Sequence, residues 1–178
     1  MQISVIGRWQ RYKNVHTALD AISDINENSK LRIKVILVGK KNQLGKNLVA
    51  NSVEQFKGEI ETYDFLPIEE LVKLYRSSRI VIHPSINEGF GLPAFEAFAE
   101  GAILIVHKGT PASELLGSFP GVIVADLNSK FEMQFAIHEA LKSCSISISE
   151  RRNYLIQIGA DWQSMASAYY EIYRKLTF

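Results

Sequence analysis

The feature that most constrains this chain is a repeated alternation of short β-branched runs with amphipathic helical patterns. Ile3 to Ile6 reads as a strand, and Val15, Ala18, Leu19 and Ile22 mark one face of a helix behind it. Ile33 to Val38 is a near-continuous apolar run, the pattern of a strand covered on both faces. A looser helical stretch runs from Leu44 to Phe56, Ile60 to Phe65 reads as a weaker strand, and Ile68, Leu71, Val72 and Tyr75 make another helical stripe. The strand Ile80 to His83, a short helix at Phe95 to Ala99, and strands at Ile103 to Val106 and Val122 to Val124 continue the series, with Met133, Ala136, Ile137, Ala140 and Leu141 as the next helix face. A short helical piece near Arg151 to Ile158 precedes a long closing helix carrying Trp162, Met165, Ala166, Tyr169, Tyr173 and Leu176. Strands alternating with helices require right-handed crossovers. The pattern therefore predicts an α/β, doubly wound parallel sheet of about six strands, Rossmann-like, with a long C-terminal helix.

The 178 residues fit one domain and leave no room for a second full one. Twenty basic and nineteen acidic side chains nearly cancel, so nothing global points to nucleic acid or an anionic membrane, and any anion site has to be local. Cys144, the single cysteine, cannot form an internal disulfide, and its place in a helical apolar pattern predicts a buried thiol. The run after Met1 lacks the marks of a secretion signal, and no apolar stretch reaches the ~20 residues that span a bilayer, so a cytoplasmic location is expected.

In a doubly wound sheet, ligands bind beyond the carboxyl ends of the strands, where the strand order reverses. Two segments follow strands and carry suitable chemistry: GRWQRYK after the first strand, and NEGFGLPAFEAF after the strand ending at His83. Pro93 suits the first helical position, which makes Gly89 to Leu92 an entering loop, puts Glu96 near the first turn and leaves Glu88 in the loop, the two acids facing one cavity. Gly89 and Gly91 permit close approach of the backbone, and free amides at a helix start favour an anion such as phosphate. The segment matches neither GxxxxGK nor GxGxxG. Arg8 and Lys13 suit a diphosphate, with a solvated basic loop that includes Arg11 as the plainer account. Carboxylates beside a phosphate suit neighbouring hydroxyl groups, so the combination implies a ligand carrying both, and a nucleotide sugar fits. Glu96 also has a plainer account, as a helix-start acid stabilised by the dipole. His83 reads as a packed strand end, His16 and His107 as loop or helix positions, and no set of residues has metal-ligand spacing.

EGFGLPAFE, with seven residues between its two glutamates, together with GRWQRYKN and Pro84-Ser85, resembles the signature of the retaining glycosyltransferases of family 4, which have the GT-B fold. EAFAEGAILIV and DWQSMASAYYEIY resemble the same family further along, so the similarity covers nearly the whole chain. The resemblance is to the carboxyl-terminal, donor-binding half. It implies that Arg8 and Lys13 hold the donor diphosphate and stabilise the leaving group, that Glu88 meets the transferred sugar, and that Glu96 meets the ribose. It also implies that the amides of Gly89, Phe90, Gly91 and Leu92 line the pocket. The donor is a nucleoside-diphosphate sugar, with no further cofactor. The amino-terminal acceptor half is missing and would come in cis or from a partner subunit, so that any membrane contact would be made through it and the aromatic tail would partly face it. Retention in the family is attributed to front-face attack, with Glu88 no nucleophile.

The sequence departs from the family at VGKKNQ, FLP and HKGTPASELLG, and no role is assigned to Thr110 or Glu114. Two rival readings are a glycoside hydrolase, which leaves Arg8, Lys13 and the glycines unexplained, and a non-catalytic nucleotide-sugar-binding module or subunit that needs a partner chain.

Overall fold

The fold was described from a computed structural model covering residues 1–41, 46–144, 146–160 and 162–176. Six parallel strands, β1 (Gln2–Ile6), β2 (Lys34–Val38), β3 (Ile60–Tyr63), β4 (Ile80–His83), β5 (Ile103–His107) and β6 (Val122–Ala125), stand in the order β3-β2-β1-β4-β5-β6. Among the described residues eight α-helices accompany them: α1 (Val15–Asn28), α2 (Lys46–Glu54), α3 (Ile68–Ser77), α4 (Leu92–Ala99), α5 (Pro111–Leu116), α6 (Lys130–Lys142), α7 (Ile148–Gln157) and α8 (Trp162–Leu176).

Both faces of the sheet are covered, which is why its central strands are apolar at every position rather than at every second one. Ile3, Val5, Val35, Leu37, Ile80, Ile82, Ile103 and Ile105 pack on one side with the buried faces of α1 and α6. Ile6, Ile36, Val38, Val81, Leu104 and Val106 pack on the other with Tyr75, Phe95 and Phe98. Ser4 is the polar exception on β1, and its hydroxyl lies 2.6 Å from that of Ser78. The order in which strands are added reverses between β1 and β4, parallel neighbours that register Ile3 against Ile80 and Val5 against Ile82. The segments that leave these two strands are therefore neighbours.

Several expectations change. The third strand ends at Tyr63, and Phe65 beyond it is 78% exposed. The fourth helix opens at Leu92, with Pro93 second and Gly91 as its cap, so Leu92 belongs to the helix rather than to the entering loop. Thr110 starts an unforeseen helix, α5, through a capping box with Ser113. His107 is the last residue of β5, not a loop or helix position. The short helix before the tail starts at Ile148, where Ser147 and Glu150 form a second capping box. Cys144 is exposed, because α6 ends at Lys142 and the thiol lies past the helix whose apolar face was expected to cover it. Leu44 lies outside the described residues, as do the side chains of Trp162, Met165 and Leu176. The apolar exposure expected on the tail is present in α8, where Tyr169, Tyr170, Ile172 and Tyr173 are each more than half exposed.

Arg151 of α7 is fully buried. Its Nη1 donates to the Ala102 carbonyl at 2.9 Å, its guanidinium carbon lies 5.0 Å from the centre of the Phe98 ring, and Nη2 has no hydrogen-bond partner. No helix among the described residues is long and apolar enough to cross a membrane.

Candidate functional site

Beyond its carboxyl end β1 continues pairing for a few residues: the Gly7 amide donates to Val38 at 3.0 Å and the Trp9 amide to Lys40 at 3.1 Å. The exits from β1 and β2 consequently run side by side. Gly39 is required at this crossing, since a β-carbon there would sit 1.9 Å from the Gly7 carbonyl oxygen. The chain then makes one 3-10 turn, Arg11–Lys13, and Asn14 reverses it in the left-handed region at φ 53°. The Asn14 side chain repays that conformation: Nδ2 donates to the Leu127 carbonyl, and Oδ1 accepts from the Thr17 hydroxyl at 2.6 Å. The Ile86 amide donates to the Tyr12 carbonyl at 3.0 Å, which draws the turn against the segment leaving β4.

That bridge brings Lys13 onto Glu88. Nζ lies 2.6 Å from Oε1, with the side chains only 14% and 15% exposed. The Nε2 of His83, a buried ring at the end of β4, lies 3.2 Å from the same oxygen. Burial pushes the Glu88 carboxyl up, but hydrogen bonds from His83 and Lys13 outweigh it and hold the group down at about 2. A carboxyl lowered in this way contributes stability fully above its ordinary pKa of about 4.5 and loses it as pH falls through about 2. The stability difference between wild type and Glu88→Gln should thus be widest above pH 5 and nearly closed at pH 2, as thermal denaturation followed by circular dichroism across that range would measure.

Arg8, Lys13, Lys40, Asp64, His83 and Glu88 line one cleft of about 780 Å³, with Ile6, Val38, Leu66 and Leu71 as apolar wall and Pro93 at the rim. A cavity of about 800 Å³ also opens beside Met1, Arg32 and Lys57, but at the amino ends of the strands, where doubly wound sheets do not place ligands. Charge in the first cleft is mixed. Arg8 and Lys40 stand with the Lys13–Glu88 pair and Asp64, so the cleft suits a ligand that carries both anionic and hydroxyl groups.

Arg8, Lys13 and Glu88 are brought together as the sequence suggested. Gly89, Phe90, Gly91, Leu92 and Glu96 are not among the residues lining that cleft. Gly91 borders it: at φ 88° it caps α4, and a β-carbon on it would meet Cε1 of His83 at 3.5 Å and Cγ of Glu88 at 3.8 Å. Phe90 turns inward and stacks on Phe95 with centroids 4.4 Å apart, and Leu92 is exposed. Of the two acids, Glu88 lines that cleft and Glu96 does not. Glu96 accepts a hydrogen bond from the buried Tyr75 hydroxyl at 3.2 Å, and burial, then the Glu96 charge, push the Tyr75 phenol well above its ordinary range. The first turn of α4 holds no acid, so dipole stabilisation does not account for Glu96 either.

His83, Lys40 and Asp64 were not foreseen as parts of the site. For His83 a signal existed: a polar residue closing the apolar run IVI at a strand end. His107 instead holds a loop, its Nδ1 accepting from the Leu127 amide at 3.0 Å, while burial lowers the pKa of both His107 and His16. Among the described residues no three His, Cys, Asp or Glu side chains are grouped to hold a metal ion.

Residues 2–162 match the sequence profile of the family described as glycosyl transferases group 1. The chain is 29% identical over 143 residues to the O-antigen chain mannosyltransferase B of Escherichia coli, covering 79% of this chain and 36% of that protein. It is 31% identical over 134 residues to the D-inositol 3-phosphate glycosyltransferase of Corynebacterium diphtheriae, covering 68% and 30%. Among solved structures, the sucrose-phosphate synthase of Thermosynechococcus elongatus superposes with a TM-score of 0.77 at 20% identity, over 98% of this chain and 45% of that one. An alpha,alpha-trehalose-phosphate synthase (UDP-forming) of Burkholderia vietnamiensis gives 0.78 at 14% identity, over 98% and 45%. The chain spans about a third of those two curated relatives and under half of the two solved chains.

Proposed function

The chain belongs to the glycosyl transferases group 1, and on that premise we propose that it is the carboxyl-terminal, donor-binding half of a retaining family 4 enzyme of GT-B fold. In this reading it binds a nucleoside-diphosphate sugar, and the whole enzyme passes the sugar to an acceptor hydroxyl. The observation that carries the reading is the convergence of Arg8, Lys13 and Glu88 on one cleft at the reversal of strand order.

Arg8 and Lys13 then hold the diphosphate. An ammonium has three protons, so Lys13 can keep its bond to Glu88 and still donate to a phosphate oxygen. The leaving phosphate and the carboxylate that takes the sugar hydroxyls are thereby one side chain apart. As the bond to the anomeric carbon breaks, negative charge grows on the phosphate, and fixed cations aimed at that charge lower the barrier, each by about 3 kcal/mol or roughly a hundredfold in rate. The amides opening α4 at Gly89 to Leu92 add to this field beside the cleft, and Glu96, held by Tyr75, takes the ribose hydroxyls. The acceptor side comes from an amino-terminal half, in cis or on a partner subunit, so the isolated chain binds nucleotide and transfers sugar poorly, since it cannot hold both reactants in register and exclude water.

A thermal-shift screen of UDP, GDP and ADP with their glucose and mannose conjugates tests this. A ligand present at a hundred times its Kd stabilises by about 2.7 kcal/mol, or about 5 to 10 °C for a chain of this size. Arg8→Ala should abolish the shift. No shift with any nucleotide, or robust transfer by the purified chain alone, would overturn the assignment.

A further inference from the structure

We propose that His83 is a positioning residue for Glu88: its Nε2–H fixes the carboxylate by Oε1, so that Oε2 is the oxygen presented to a hydroxyl group of the ligand's sugar. The proposal rests on the donor-site reading above and deepens it. His83 closes a strand whose other residues, Ile80, Val81 and Ile82, are apolar and fully buried. A buried imidazole is costly unless its nitrogens are engaged. Here Nε2 lies 3.2 Å from Glu88 Oε1, and a carboxylate can only accept, so this nitrogen carries the proton.

Lys13 reaches the same oxygen at 2.6 Å. The two donors come from different elements, one rigid at the end of β4 and one on the turn after β1, and together they clamp one of the two carboxylate oxygens. The lysine stem has several rotatable bonds and an alternative anionic partner once a diphosphate is present. The imidazole has neither. Its ring is buried and lies beside Gly91, so His83 keeps the carboxylate aligned while Lys13 also donates to phosphate. Ser85 stands beside the carboxylate and also helps to hold it down, though less than His83 and Lys13, while its hydroxyl donates to the Asn87 carbonyl at 3.0 Å. Among the described residues the charged and titratable groups within 4 Å of the Glu88 carboxylate are Lys13 and His83, and Arg8, Lys40 and Asp64 share its cleft.

The test compares His83→Leu and His83→Gln with wild type in two measurements on the whole chain. In calorimetric titrations with the nucleoside diphosphate selected by the screen and with its hexose conjugate, His83→Leu should bind the bare diphosphate within about twofold of wild type. The extra affinity contributed by the hexose should fall about tenfold, and His83→Gln, which keeps a donor, should restore part of it. Independently of any ligand, carbon-13 titration of the glutamate carboxyls should show Glu88 titrating at higher pH in His83→Leu, because the first of the hydrogen bonds that hold it down is gone, with a smaller rise in His83→Gln. An unmoved Glu88 titration, or a loss that strikes diphosphate and conjugate equally, overturns the positioning role. Absence of nucleotide binding by wild type overturns the donor-site reading instead, and the titration still decides the role of His83. Should the leucine variant not fold, the glutamine variant carries both measurements.

Discussion

Lys13→Met should lower affinity for a nucleoside diphosphate by about a hundredfold and at the same time destabilise the folded chain. The two effects have different origins. Affinity falls because one of the two cations assigned to the diphosphate is gone, and a charge-assisted contact of this kind is worth about 2 to 3 kcal/mol. Stability falls because Glu88 is left in a half-closed environment with one donor where it had two, and breaking a mostly buried pair from one side costs about 2 to 4 kcal/mol. The double variant Lys13→Met with Glu88→Gln separates them: neutralising the orphaned carboxylate should recover most of the stability, measured by urea denaturation, and none of the affinity, measured by calorimetric titration. A Lys13→Met protein that bound the diphosphate as wild type does would remove Lys13 from the site.

Phe98→Ala should cost about 4 to 5 kcal/mol, at the upper end of the range for a buried aromatic ring. Phe98 is 0% exposed, and its ring meets Phe119 edge-on with centroids 4.9 Å apart and Tyr154 at 6.1 Å. The ring also lies beneath the guanidinium of Arg151, a buried charge with one nitrogen that has no hydrogen-bond partner among the described residues. Removing the ring therefore leaves a cavity and takes away part of what makes that charge tolerable in the core. The melting temperature should drop by about 10 to 15 °C, and Phe98→Leu, which fills much of the space, should lose well under half as much. A cost below about 1.5 kcal/mol would mean that the region collapses around the substitution and that Arg151 does not depend on the ring.

What could be read in the sequence follows from how far along the chain each interaction reaches. Runs such as Ile33 to Val38 announce a strand buried on both faces because every residue in them answers to the same environment, so the strands and their parallel arrangement were legible. Strand and helix ends were less so. Phe65 looks like strand by composition yet lies beyond the last pairing of β3 with β2, which ends at Tyr63. Helix α5 is too short for an apolar stripe, and its start depends on a local exchange between Thr110 and Ser113. Cys144 was misplaced by the same reasoning that succeeded for Met133 to Leu141, since a periodic pattern does not show where the helix under it stops.

In the site, residue types and the strand ends that carry them were visible, and Arg8, Lys13 and Glu88 do line one cleft. Side-chain direction was not. That Lys13 grips Glu88 across 75 positions of sequence, that His83 joins them, and that Glu96 is claimed by Tyr75 all depend on tertiary neighbours that no local pattern encodes.

Asn14 reaches past the central strands to the Leu127 carbonyl, on the connection between β6 and α6 at the outer edge of the sheet. A peripheral turn thereby acts as the adjustment screw for the cation at the mouth of the cleft. The seat of the ammonium on its carboxylate therefore leans on a backbone carbonyl that does not line the cleft.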